Sequence, residues 1–170
     1  MAVDTVSVDS TVVCLEPKLR APLRTYIYDH KPIMDEFLGK KYKLKSSENF
    51  EEYLKFIGVG LVSRKLATTV SPVCVLTKND DGSYNLAMTT TVRNMILTFT
   101  LGEEFSEERP DGTKVQSLMI WKGTELIQTQ TKKSGRKSTH IRKFSPTTLT
   151  VTTTADGWNG TCVRVYELID

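Results

Sequence analysis

After Pro72 the chain is a succession of short runs bounded by tight turn signals, and this regularity limits the fold more than any other feature. Val73–Lys78, Ser83–Val92, Asn94–Leu101 and Lys114–Trp121 are followed by Glu125–Lys132, Lys137–Phe144, Thr147–Thr154 and Thr161–Leu168. Each run alternates apolar with polar residues or is rich in the β-branched types that suit a pleated surface. Asn79-Asp80-Asp81-Gly82 and Arg109-Pro110-Asp111-Gly112 are turn formers between them. Strands at this spacing predict an all-β sandwich or an up-and-down barrel of about nine such strands plus an earlier one. The threonine clusters Thr89-Thr90-Thr91 and Thr152-Thr153-Thr154 suit a partly hydrated barrel lumen.

The segment before Pro72 changes period. Lys41, Lys43 and Lys45 alternate with Tyr42 and Leu44, which predicts a first strand with one wet face. Phe50, Tyr53, Leu54 and Ile57 then stand at i, i+3, i+4 and i+7, the stripe of a short helix. Asn49 is the expected N-cap, with Glu52 completing a capping-box-like arrangement. Gly58-Val59-Gly60 stops that helix, a second runs from Leu61 to Thr69, and Pro72 ends it. A helical pair early in an all-β chain reads as a lid.

Residues 1–33 have no sustained period and are punctuated by Pro17, Pro22 and Pro32. Their charges cancel, Asp4, Asp9, Glu16 and Asp29 against Lys18, Arg20, Arg24 and Lys31. The expected organisation is an N-terminal extension over 1–33, disordered or loosely packed, and a barrel domain over 34–170. The rival reading packs the extension on the barrel through Tyr26, Ile27 and Tyr28. The formal net charge of +3 is too mild to argue for nucleic acid. No run approaches the ~18 apolar residues of a membrane span, and no secretory signal is visible. Cys14, Cys74 and Cys162 build neither a disulfide framework nor zinc spacing, so free thiols in a reducing cytoplasm are expected.

The last strand carries the chemistry. Cys162, Arg164 and Tyr166 alternate with Val163 and Val165, and alternation alone leaves open which set faces inward. If the first set does, a guanidinium and a phenol line the cavity, and a buried cation wants an anionic partner. Arg142 is a second cation within reach of that idea. Two arginines and a tyrosine form a seat for a carboxylate, whose geometry the guanidinium fork matches. The alternative is that both arginines are solvated strand charges.

The chain resembles the intracellular lipid-binding proteins, the family of fatty-acid-binding and cellular retinoic-acid-binding proteins. The likeness rests on Gly39-Lys40-Lys41-Tyr42-Lys43-Leu44, on Ser46 through Lys55, on Gly58-Val59-Gly60, and on Leu101 through Phe105, Asp111 through Val115 and Arg164-Val165-Tyr166-Glu167. It implies a ten-stranded up-and-down antiparallel β-barrel, a β-clam of the lipocalin-like calycin type, capped by a helix-turn-helix lid. It implies non-covalent binding of a long-chain fatty acid or similar lipid carboxylate, with Arg142, Arg164 and Tyr166 holding the carboxylate. A retinoic-acid carrier is the nearest alternative, and two arginines rather than glutamines argue for an acid over an alcohol. The portal residues implied are Phe50, Tyr53, Leu54, Ser63, Pro72, Val92 and Arg93. Lys55, Arg64 and Lys65 would make a nuclear-import surface, with ordinary solvated helix charge as the alternative. Thr113 stands where some members place an arginine, which counts against a third cation.

The remaining signals are weaker. Phe56, off the apolar stripe, is placed to touch an anionic membrane during transfer, though a single exposed Phe is common. Lys132-Lys133-Ser134-Gly135-Arg136-Lys137 reads as a basic hairpin turn rather than a nucleic-acid patch. Asn159-Gly160-Thr161 reads as a turn. No nucleophile–base pair, metal cluster or phosphate loop is evident, so an enzyme is not expected and no cofactor is called for. The expectation is a monomeric carrier in the cytoplasm, and also in the nucleus, with delivery to a nuclear or membrane partner as the alternative role.

Overall fold

The structure, a computed structural model, describes residues 33–109 and 111–169. The expectations for residues 1–32, including order, packing through Tyr26, Ile27 and Tyr28, and the state of Cys14, lie outside the described residues.

A 3-10 helix (Ile33–Phe37) precedes β1 (Lys41–Glu48), α1 (Phe50–Phe56) and α2 (Leu61–Thr69). Nine strands follow: β2 (Val73–Lys78), β3 (Tyr84–Thr89), β4 (Asn94–Phe99), β5 (Glu104–Glu108), β6 (Lys114–Lys122), β7 (Glu125–Lys132), β8 (Lys137–Phe144), β9 (Thr148–Ala155) and β10 (Cys162–Leu168). Every pairing is antiparallel, in the order β4-β3-β2-β1-β10-β9-β8-β7-β6-β5. The first strand pairs with β10 and, over Lys41–Lys43, with β2. A register shift between Leu44 and Ser46 bends β1 and helps turn the sheet into a barrel. β4 and β5 form the two ends of this order, so no ladder joins them.

The interior is apolar at the end away from the lid. Met34 and Phe37 of the 3-10 helix pack into a cluster with Tyr42, Leu126, Phe144, Leu149 and Tyr166. Phe144 meets the rings of Phe37 at 5.4 Å and Trp121 at 5.5 Å, both tilted, contacts that add to simple area burial. The Tyr42 hydroxyl donates to the Ser145 carbonyl at 3.1 Å, so its polar tip is satisfied. Tyr84 stacks on Phe99, and Phe99 stacks at 6.3 Å on Phe105 of β5. Side chains thus join β4 to β5 where backbone pairing does not.

Three local expectations are corrected. β5 was not among the expected strands, because Glu104-Phe105-Ser106-Glu107-Glu108 is mostly charged and has one apolar residue. Asn49 does not cap α1 with its side chain: its backbone is left-handed (φ 54°), and its amide donates to the Thr161 carbonyl at 3.0 Å. The residue therefore ties the lid to the approach to β10. Phe56 is half-buried rather than free, stacked on Trp158 with ring centroids 6.1 Å apart. The basic hairpin from Lys132 to Lys137 is a turn, closed by Lys132 N–H to the Arg136 carbonyl at 2.9 Å.

Candidate functional site

The burial of β10 settles the direction of its alternation. Cys162, Arg164 and Tyr166 are buried and Val163 and Val165 are half-buried, so the arginine–tyrosine face points inward. Arg142 lies opposite Val151 on β9, and Val151 lies opposite Arg164 on β10. The two arginines therefore flank the same residue at one level of the barrel, one strand spacing of about 4.8 Å away on each side. Tyr166 stands on β10 one inward position nearer the apolar end.

A cavity of about 530 Å³ opens between the lid and these strands. Leu86, Met88, Met95, Ile96 and Leu97 of β3 and β4 give it an apolar wall, and Phe50, Tyr53 and Leu54 of α1, with Ile57 just past its end, roof it. Glu107, Gln128, Gln130, His140 and Arg142 supply the opposite, polar wall. Arg164 lines a smaller recess of about 270 Å³ under the lid, between Phe50, Leu44 and Ala67. The Phe50 ring, 4.1 Å from the Arg164 guanidinium carbon, stands between the two spaces. Arg164 also lies 5.5 Å from the Tyr166 ring, so it rests between two aromatic faces that partly offset its charge.

Both cations are short of partners. Arg142 Nη2 donates to Gln128 Oε1 at 2.8 Å, but its Nη1 has no partner in the structure. Arg164 Nε likewise has none. Burial lowers the Arg142 pKa, with Cys74, Tyr166 and Glu107 opposing the shift, and a guanidinium stays charged at neutral pH. Burial pushes the Tyr166 phenol up to about 12, so it is a protonated donor. Burial likewise pushes the Cys74 and Cys162 thiols up to about 11, which leaves them unreactive fillers.

The portal residues divide. Phe50, Tyr53, Leu54, Ser63 and Arg93 line the larger cavity. Pro72 is buried, Val92 is exposed, and neither is among the cavity-lining residues. On the lid surface Lys55 is exposed, whereas Arg64 and Lys65 both engage Glu51, at 4.0 and 3.0 Å. Arg64 also donates to the Val59 carbonyl at 2.7 Å. Among the described residues no group of three or more His, Cys, Asp and Glu is placed to hold a metal ion, and no helix is long and apolar enough to cross a membrane.

Two cavity-lining residues escaped sequence reasoning. Arg109, read there as part of a turn, is 6% exposed, lines the cavity and pairs with Asp111 at 2.8 Å. It supplies a third interior cation from a different position than Thr113. Glu107 accepts from Ser117 Oγ and Gln128 Nε2 at 2.7 Å each, and from Gln130 Nε2. The missed signal was the alternation of Phe105, Glu107 and Arg109, which becomes an inward row once β5 is recognised as a strand.

The match to known proteins follows this geometry. Residues 38–167 match the model of the lipocalin / cytosolic fatty-acid binding protein family. A fatty acid-binding protein of Tyrophagus putrescentiae is 41% identical over 131 residues, covering 76% of this chain and 96% of its own. A structure of the fatty acid-binding protein in brain tissue of Drosophila melanogaster superposes with TM-score 0.72 and 43% identity, covering 77% of this chain and 98% of that one. A Schistosoma mansoni fatty acid binding protein in complex with arachidonic acid gives TM-score 0.73 at 30% identity, covering 81% of this chain and 98% of that one.

Proposed function

The chain belongs to the lipocalin / cytosolic fatty-acid binding protein family, and from that membership we propose that it binds a long-chain fatty acid non-covalently inside its barrel and serves as an intracellular lipid carrier and buffer. The observation that carries the reading is a pair of inward arginines, each with an unpartnered donor, beside a cavity of about 530 Å³ that has an apolar wall. That volume falls in the range of small-molecule sites.

Each methylene withdrawn from water contributes about 0.8 kcal/mol, so a chain of about sixteen carbons offers on the order of 10 kcal/mol before ordering losses. The apolar wall of β3 and β4 takes the chain. The carboxylate goes to Arg142 and Arg164, with the Tyr166 hydroxyl as a further donor. An uncharged head would leave those donors unsatisfied, which costs about 1–3 kcal/mol for each buried group. Full engagement of Arg164 requires the Phe50 ring to swing off the guanidinium, so Phe50 acts as a gate between the two spaces. Phe50, Tyr53, Leu54, Ser63 and Arg93 border the entrance. No bond is made or broken in this cycle, and the cytoplasm is the compartment it serves.

Calorimetric titration tests the reading. The unaltered protein is expected to bind palmitate at least tenfold more tightly than hexadecanol, and Arg142→Gln with Arg164→Gln to abolish that difference. Equal affinity for acid and alcohol in the unaltered protein overturns it.

A further inference from the structure

The interior charges do not balance. Arg93 and Glu108 are exposed at the cavity opening. Arg109 and Asp111 neutralise one another directly. Inside, among the described residues, two arginines, Arg142 and Arg164, face one carboxylate, Glu107. All three groups assigned to Glu107 are donors: Ser117 Oγ, Gln128 Nε2 and Gln130 Nε2. Three converging donors suit a carboxylate, which has acceptor sites for all of them. Gln128 is shared, since its amide nitrogen donates to Glu107 while its amide oxygen accepts from Arg142. Gln130 extends the same chain, its Oε1 accepting from His140 Nε2 at 3.2 Å, and His140 Nδ1 reaches Thr153 Oγ1 at 2.8 Å. Gln128 is 2% and Gln130 7% exposed, so the arrangement is shielded from solvent screening.

We propose that Glu107 is a specificity-determining residue: the resident counter-charge of Arg142, acting through Gln128, which leaves the cavity one negative charge short of neutrality and so fits it to a single monoanionic head. The inference rests on the fatty-acid reading above. In the empty barrel Glu107 stabilises a buried guanidinium that would otherwise lack any anion. With a carboxylate bound, the same negative charge repels the ligand head at close range in a low-dielectric interior. Glu107 thus lowers affinity for the acid below what two free arginines would give, and it opposes a dianion more strongly still. Because Glu107 does not contact the head itself, its role is positional and electrostatic.

The test compares dodecanoate, dodecanol and dodecyl phosphate at pH 8 by calorimetry on the unaltered protein, Glu107→Gln and Glu107→Asp. Glu107→Gln is expected to bind dodecanoate roughly three- to tenfold more tightly while its dodecanol affinity stays put. Glu107→Asp, which keeps the charge, is expected to retain the original acid-to-alcohol ratio. If both variants shift that ratio alike, or if Glu107→Gln weakens acid and alcohol together, the residue is only packing and the inference falls. The unaltered protein supplies an independent arm if a variant does not fold: it is expected to bind dodecanoate more tightly than dianionic dodecyl phosphate, and the reverse order refutes the charge count. A protein that already binds dodecanol as well as dodecanoate overturns the fatty-acid reading itself, and this inference with it.

Discussion

At Arg164 a full charge is 9% exposed, cushioned by two aromatic rings, and short of one hydrogen bond. Such a residue is poorly explained by stability, since a buried cation without an anion is a cost to the empty fold. Arg164→Gln is therefore expected to weaken fatty-acid binding about 10- to 100-fold, the worth of a charge-assisted hydrogen bond. Its urea midpoint without ligand is expected to stay level or rise, and a fall in stability as large as the loss in affinity would count against a binding role. His140 makes the second prediction at this scale. Burial, with Arg142 and Arg109 adding to it, pushes its imidazole down to about 3 from an ordinary 6.5. Above pH ~6.5 neither the folded nor the unfolded chain protonates it, so its contribution there is level. Between that pH and about 3 the unfolded chain takes a proton that the folded chain refuses. Stability is then lost as pH falls, by up to ~1.4 kcal/mol per pH unit. Denaturation of His140→Gln between pH 7 and pH 5 is expected to show a shallower loss than the unaltered protein, and parallel curves would refute the assignment.

Among the elements, α1 holds its place by few attachments. Tyr53 is its buried anchor, meeting the rings of Trp158 at 5.6 Å and His140 at 6.0 Å. Phe56 stacks on Trp158, and Asn49 holds the loop before β10. Trp158→Ala is expected to remove about 1 kcal/mol of ring contact and to loosen the lid more than the barrel. Amide exchange in Phe50–Phe56 should quicken while β7 and β8 keep their protection, and uniform loss would show that the lid and barrel are one unit. Gly160 belongs to the same loop: a methyl group there would run into the Trp158 indole, so Gly160→Ala should show the same lid-selective effect. Helix positions were legible in the sequence because the stripe of Phe50, Tyr53, Leu54 and Ile57 and the stop at Gly58 are local signals. The job of Asn49 was not, since its partner Thr161 lies more than a hundred residues away in sequence. β5 was missed for a related reason. Its two inward residues before the turn are Phe105 and Glu107, and an inward carboxylate is explained only by Ser117, Gln128 and Gln130 on two other strands.

For the whole molecule, ten strands wrap a cavity with two unlike walls. β1 and β10 pair to close one side, while β4 and β5 meet through Phe99 and Phe105 rather than a ladder. The period-two runs and their turns made the barrel legible, because strand spacing is a local property of the chain. They left the inward face of β10 undecided, and burial resolves it: Arg164 and Tyr166 lie inside. The interior charge balance among Arg109, Asp111, Glu107, Arg142 and Arg164 depends on which strands face one another, and period-two alternation carries no such information. The measurement that most directly tests the central claim is a carbon-13 NMR titration of carboxyl-labelled palmitate bound to the protein. A head held between two guanidiniums should give one bound resonance that stays ionised well below the ordinary carboxyl range near pH 4–5. A bound resonance that titrates within that range, as a solvated carboxyl does, would contradict the account.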